Sequence, residues 1–339
     1  MIHYRYPLKL TKQRKKRHID SEANDSVKIL IGVTSYGPTI ERRTAVRTTW
    51  GKDADGLIFL VAGEWTEAME NEFHAYNDVL WVDRSEDYYW GLTPKTMSFW
   101  HAAVQHFQST NEKTMPSFDY FAKTDDDVYF NVTAVKQILR EDRPSYWGNC
   151  KSGKEPFRDE NHRWYVPHDL YPHDKYPRYA SGMGVLLSSD AATCAVAQLE
   201  HVYSSSYMPM EDVATGLLMK ACKESCTFHK DINDDWSIGK IRTGNIPTLL
   251  QHGIAASDMM YVHERKPLPH KLVNCGKPSI NYKWNHFAYS CAKCVPADWG
   301  TENMCSGQCM WSLTDHGKGE CLPKPKKKKQ VHKEEKDEK

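Results

Sequence analysis

From residue 27 onward, short apolar runs alternate with segments whose apolar residues recur every three or four positions. Residues 27–33 form an apolar run of strand length, closed by the breakers Gly37 and Pro38. A helix is predicted after Pro38, with Val46 and Trp50 facing the core and Arg43 and Arg47 on a second, cationic face. Residues 57–62 are the next strand, Trp65, Met69 and Phe73 mark a helix, and residues 79–82 are a third strand. Residues 94–107 read as a helix and 118–124 as a fourth strand. Four alternations predict an α/β fold with a mostly parallel sheet flanked by helices on both faces. Ligands of such sheets sit beyond the carboxyl ends of the strands.

After Pro144 the pattern weakens, and residues 150–178 read as a long polar and aromatic loop. Its Trp164, Tyr165, Tyr171 and Tyr176 suit either stacking on sugar rings or packing the loop down. Residues 184–188 return as a strand and 190–199 as a helix. Met210-Glu211-Asp212 opens another helix with a Val213, Leu217, Ala221 stripe. Beyond Pro267 the composition turns to Cys, Trp, Asn and Lys. The predicted organisation is a basic disordered tail at 1–24, a main domain at 25–270, a cysteine-rich extension at 271–322 and a charged disordered tail at 323–339.

Across 339 residues, 45 Lys and Arg balance 44 Asp and Glu, so bulk charge does not argue for nucleic acid or an anionic membrane as partner. Nucleic-acid binding would rest on the two tails alone. The chain as written contains no run near the roughly 18 apolar residues of a membrane span and no signal-peptide core, so it is expected to be soluble. Of ten cysteines, six fall between Cys275 and Cys321. Cys291, Cys294, Cys305 and Cys309 have spacing that fits one tetrahedral zinc or a pair of disulfides. Asn24-Asp25-Ser26 and Asn131-Val132-Thr133 fit the glycosylation tripeptide, a weak pattern.

Asp125-Asp126-Asp127 directly follows the fourth strand and so lies where the ligand crevice is expected. Three adjacent carboxylates repel one another, and a hard divalent ion such as Mn2+ or Mg2+ relieves that repulsion. Asp125 and Asp127 can face such an ion while Asp126 points elsewhere. The alternative is a solvated acidic turn ahead of the helix carrying Val132, Val135 and Leu139. Glu211-Asp212 is a second acidic pair, explained either by a helix N-terminus or by the need for a base that accepts a hydroxyl proton.

Five ordered segments carry a family resemblance: Glu41-Arg42-Arg43-Thr44-Ala45-Val46-Arg47-Thr48-Thr49-Trp50-Gly51, Asp87-Tyr88-Tyr89-Trp90-Gly91-Leu92-Thr93-Pro94-Lys95-Thr96, Lys123-Thr124-Asp125-Asp126-Asp127-Val128, Tyr176-Pro177-Arg178-Tyr179-Ala180-Ser181-Gly182-Met183-Gly184 and Glu211-Asp212-Val213-Ala214-Thr215-Gly216. Together they resemble the β-1,3-galactosyltransferase and N-acetylglucosaminyltransferase family, related to Fringe. The resemblance spans about residues 27–268 and closes on Tyr261-Val262-His263-Glu264-Arg265-Lys266-Pro267.

It implies a GT-A fold and an inverting transferase that uses a UDP-sugar and Mn2+ to build a β-1,3 linkage on a glycan or glycoprotein acceptor. By that resemblance Asp127 is the first metal ligand, Asp125 and Asp126 close round the nucleotide, and His263 is a further ligand or diphosphate contact. Asp212 would be the base, with Glu211 shaping the site. Arg43, Arg47 and Lys95 would contact the nucleotide. The family works in the Golgi or secretory lumen, usually on an N-terminal membrane anchor, and that location favours disulfides in the extension. The alternative is an inactive glycan- or protein-binding relative of the same fold.

Overall fold

The computed structural model describes residues 4–5, 27–83, 91–107, 117–160, 162, 164–205, 208–228, 249–265, 309–313 and 319–323. The chain divides into two units, residues 1–267 and 268–339. In the second unit the described part is an antiparallel hairpin of β11 (Cys309–Leu313) and β12 (Gly319–Pro323), with Trp311 opposite Cys321. Cys275, Cys291, Cys294 and Cys305 lie outside the described residues, and with them the choice between zinc and disulfides.

The first unit runs β1 (Tyr4–Arg5), β2 (Ile29–Thr34), α1 (Ile40–Thr48), β3 (Gly56–Ala62), α2 (Glu67–Tyr76), β4 (Val79–Val82), α3 (Leu92–Phe107), β5 (Tyr120–Asp125), β6 (Tyr129–Phe130), α4 (Val132–Asp142), β7 (Tyr146–Lys151), β8 (Tyr179–Ser188), α5 (Ser189–Ser205), α6 (Glu211–Ala221), β9 (Thr227–Phe228), β10 (Leu250–Gln251) and α7 (Ala256–His263). Its main sheet has eight strands in the order β1-β4-β3-β2-β5-β8-β7-β9. Strands β4, β3, β2 and β5 are parallel, and β8 runs antiparallel to both β5 and β7. The sheet is therefore mixed and mostly parallel among its central strands. Both faces of β2 and β3 are buried, which is why their sequences read as continuous apolar runs.

Strand alternation sends Leu30 into a core shared with Ile58, Leu60, Phe99, Trp100, Phe121 and Leu187 under α3, α5 and α6. Gly32 lies on that same face, where a Cβ would come within 2.8 Å of the Phe99 ring. The close approach of α3 to the sheet depends on that missing side chain. On the opposite side Trp50 packs on Phe130, with ring centroids 5.7 Å apart. Asn131 caps α4 by accepting from Ala134 N at 3.2 Å.

Two expectations change in the second half of the sheet. β7 occupies part of the segment read as loop, and β8 starts at Tyr179 rather than at residue 184. The first turns of β8 alternate partly exposed and buried positions around Ser181 and Gly182, so no apolar run announces them. The loop between β7 and β8 is tied by Arg158, whose guanidinium donates to the carbonyls of Val166 at 2.6 Å, Tyr171 at 2.7 Å and His173 at 3.0 Å. Tyr171 and Tyr176 are buried, with centroids 5.2 Å apart, so these two aromatics pack the loop down. Disulfides Cys150–Cys226 and Cys194–Cys222 join β7 to the segment before β9, and α5 to the end of α6.

The cationic face predicted for α1 is not a surface. Arg43 is wholly buried and makes a bidentate pair with Glu72, from Nε at 2.8 Å and Nη2 at 2.7 Å. Its Nη1 also donates to Ser35 Oγ at 3.0 Å and Tyr36 O at 2.7 Å, and its Nη2 to Gly37 O at 2.8 Å. Arg47 pairs with Asp78 through Nε and Nη2, both at 2.8 Å, and with Glu72 at 2.7 Å. Both guanidinium groups expected at a nucleotide are paired here with carboxylates of α2 and the turn after it.

Candidate functional site

The carboxyl ends of β2 and β5 lie side by side, with Thr34 paired to Asp125. The antiparallel entry of β8 brings Gly182 to the same edge, and Glu211 at the start of α6 meets it there. β5 ends at Asp125, and the chain turns through Asp126 and Asp127 before β6. The short ladder of β6 with β10 pairs Tyr129 with Gln251. It is bracketed by Asn131 N to Leu249 O and Ile254 N to Asp127 O, each 2.8 Å. That ribbon delivers His252 to the acidic turn.

His252 Nε2 lies 3.1 Å from Asp127 Oδ1. One ligand atom each from Asp125, Asp127 and His252 fall within 4.8 Å of one another, and all three residues are partly exposed. Two carboxylates and an imidazole are a donor set that suits a divalent cation such as Mn2+. Burial opposes the charge on Asp127, but attraction to His252 and a hydrogen bond from it outweigh this and hold the carboxyl below its ordinary range. Burial likewise opposes the His252 cation, while Asp127 and then Asp125 raise the imidazole above its usual value.

His263 is elsewhere. It ends α7, where Tyr129 Oη lies 3.2 Å from its Nδ1. Among the described residues, the imidazole grouped with the acidic turn is that of His252, whereas His263, expected there, lies beside Tyr129. The reason is topological, since the two-residue β6–β10 ladder aims the chain so that position 252 reaches Asp127.

Asp126 turns away from this group. It accepts from Ser35 Oγ at 2.8 Å and from Arg42 Nη1 at 3.2 Å. Burial pushes its carboxyl up to about 6 against the pull of Arg42. The arginine of α1 that reaches the acidic turn is thus Arg42, while Arg43 acts from below by fixing Ser35. Lys95 on α3 is also buried and donates to Ser35 O at 3.0 Å. It supports the turn after β2 rather than standing in solvent.

Lys123 occupies the centre. Alternation along β5 puts it on the same face as Asp125, with no exposure, and its Nζ donates to Asp125 Oδ1 at 2.7 Å, Glu211 Oε1 at 2.9 Å and Gly182 O at 2.9 Å. Burial disfavours the ammonium, but Asp125 and Glu211 more than restore it, so its pKa lies above the ordinary lysine value. A Cβ on Gly182 would fall 2.2 Å from Glu211 Oε1. Only glycine lets β8 pass this close to the buried pair.

Asp212 follows Glu211 at the mouth of α6. The Val213 N–H donates to its Oδ1 at 2.7 Å, and the Gly182 backbone lies close enough to favour its charged form. Burial, reinforced by the neighbouring Glu211 charge, pushes the Asp212 carboxyl up to about 7. A carboxylate so placed accepts a proton more readily than an exposed one near neutral pH.

Lys123, His252, Ser35 and Arg42 were not singled out from the sequence. A lysine interrupting the apolar run of β5 is a detectable signal of a buried, paired charge. His252 has no periodic context, and only the turn at Gly253, with φ of 76°, marks its neighbourhood.

Comparison with known proteins bears on the family. The galactosyltransferase family model matches residues 41–227, more than half of the chain. Mouse beta-1,3-galactosyltransferase 2 is 29% identical over 201 residues, covering 53% of this chain and 44% of that protein. Mouse beta-1,3-galactosyltransferase 5 is 30% identical over 209 residues, covering 58% of this chain and 64% of that protein. Human beta-1,3-galactosyltransferase 5 is 30% identical over 208 residues, covering 57% and 62%. The alignments thus take in less than two thirds of the length of these relatives. With five ordered motifs, a mixed sheet flanked by helices and a match across most of the first unit, this chain belongs to the galactosyltransferase family.

Proposed function

We propose that the protein is an inverting, divalent-cation-dependent hexosyltransferase that moves galactose or an N-acetylhexosamine from a UDP-sugar to a glycan hydroxyl, forming a β-1,3 linkage. The observation that carries this reading is the meeting of two acidic groups at one sheet edge: Asp125 and Asp127 with His252 on one side, Asp212 on the other, with Lys123 and Glu211 between them. When bound, a divalent cation supplies charge neutralisation to the diphosphate as UDP leaves. Asp125, Asp127 and His252 are the residues that would hold it. Asp212 takes the proton of the acceptor hydroxyl as its oxygen bonds to the anomeric carbon and the bond from that carbon to UDP breaks. Glu211 stays with Lys123 and shapes the pocket. Lys95 and Arg42 act on the donor side by fixing the turns at Ser35 and Asp126.

Membership of the family and two internal disulfides support a workplace in an oxidising secretory lumen such as the Golgi. No helix among the described residues is long and apolar enough to cross a membrane.

The test is UDP release from UDP-galactose, UDP-N-acetylglucosamine and UDP-N-acetylgalactosamine with glycan acceptors, with and without Mn2+. Turnover with one donor that needs the metal and is lost in Asp127→Ala and Asp212→Asn is expected. Saturable glycan binding without UDP release would identify an inactive relative instead.

A further inference from the structure

We infer that Lys123 is a positioning residue that couples the metal-holding half of the site to the base-holding half, its charge divided between Asp125 and Glu211. The inference rests on the metal reading proposed above and extends it to a residue that no motif assigns a role.

The ammonium is fully buried and donates to three oxygens, Asp125 Oδ1, Glu211 Oε1 and Gly182 O, at 2.7, 2.9 and 2.9 Å. Those contacts account for its three protons. One contact belongs to the strand that ends in the acidic turn. The other two belong to Glu211, which directly precedes Asp212 in the chain, and to Gly182, which packs against Glu211. The packing leaves little slack, because a Cβ on Gly182 would lie 2.2 Å from Glu211 Oε1 and 3.4 Å from Lys123 Nζ. One side chain therefore fixes the rotamer of a metal-facing carboxylate and the first turn of the helix carrying the base.

The sharing of charge sets a direction. An ammonium held wholly by Asp125 would cancel the charge that a divalent cation needs and would occupy one of its oxygens. Glu211 shares that interaction, its Oε1 lying 2.9 Å from the ammonium against 2.7 Å for Asp125 Oδ1. Asp125 then keeps negative charge available, and a cation held there would leave the ammonium more to Glu211. Such coupling between two sites is reciprocal in free energy.

The experiment is direct titration of the full-length protein with Mn2+ alone, followed by the loss of the free-ion electron paramagnetic resonance signal, so no turnover is required. Glu211→Gln keeps the size of the side chain and an acceptor for Lys123 but removes the charge. Its Mn2+ affinity is expected to fall by about fivefold or more. In a Lys123→Met background the same Glu211→Gln change is expected to leave Mn2+ affinity unaltered. Measured at pH 8, above the Asp212 value of about 7, Asp212→Asn removes most of a charge from the same helix end without touching Lys123, and serves as the control for long-range field effects. Equal affinity in wild type and Glu211→Gln overturns the coupling, as does an equal loss in Asp212→Asn. Wild-type protein that binds no Mn2+ overturns the metal reading itself, and a Glu211→Gln loss that persists without Lys123 overturns only the relay. Should Lys123→Met fail to fold, the contrast between Glu211→Gln and Asp212→Asn decides alone.

Discussion

Two groups of buried charge meet the same edge of the sheet, and they are built on opposite terms. Under α1, Arg43 and Arg47 face Glu72 and Asp78, two cations for two carboxylates, with the Arg43 guanidinium saturated by hydrogen bonds. Across β5, Lys123 is shared by Asp125 and Glu211, while Asp127 and Asp212 add further negative charge at a partly open mouth. The balanced group holds the loop of Ser35 to Gly37 in place. The unbalanced one has a charge deficit that a cation can fill. Charge left over at an accessible sheet edge, rather than charge alone, separates a candidate site from a structural network.

The comparison breaks most sharply in a pair of substitutions. Asp212→Asn should lower kcat by about 10²- to 10⁴-fold while the protein remains folded. Arg43→Met should instead cost about 1–3 kcal/mol of stability, because Glu72 loses its bidentate partner and the carbonyls of Tyr36 and Gly37 lose their donors, leaving Glu72 to Arg47 alone. Adding Glu72→Leu to Arg43→Met should recover much of that loss, as read by urea denaturation. If Arg43→Met leaves stability intact but abolishes transfer, the arginine cluster belongs to the site after all.

A smaller effect sharpens the metal side. His252→Gln should weaken Mn2+ binding by at least about tenfold, as expected for a lost ligand. His263→Gln should change it less than about twofold, since this ring sits with Tyr129. Equal losses in the two variants would remove the distinction drawn between the two histidines.

The smallest effect is in pH. With its carboxyl raised to about 7, Asp212 should give kcat/KM an acid limb centred near that pH, activity falling as the base becomes protonated. The stability sign is the reverse of that for an ordinary ion-paired acid. The folded protein binds this proton more tightly than the unfolded chain does, so the contribution of Asp212 is fully present below the unfolded value and is lost as pH rises through about 7. Asp212→Asn should therefore melt a few degrees higher than wild type at pH 8 and show no such gain at pH 4, as read by calorimetry.

Local pattern made the central strands legible because each is buried on both faces and reads as an uninterrupted apolar run. It also placed Asp125 and Asp127 at a strand's carboxyl end. It lost β7 and the start of β8, where alternation through Ser181 and Gly182 resembles loop. On α1, spacing reports that Arg43 and Arg47 share a face, while the acids that bury that face, Glu72 and Asp78, arrive from other elements. The histidines show the same limit: His263 sits inside a motif, whereas His252 reaches the acidic turn through a two-residue ladder. Local periodicity records which residues travel together along the chain, and the partners of Arg43, Arg47 and Asp127 meet them only in the fold.

The ladder of β6 with β10 has a further consequence for the order in which the protein is made. A ribosome releases the carboxylates of the β5 turn long before it reaches His252, so a growing chain can fold its central strands with the acidic turn still lacking its imidazole. A message cut short ahead of Leu250 would yield a polypeptide with the recognisable motifs but without the imidazole that meets Asp127.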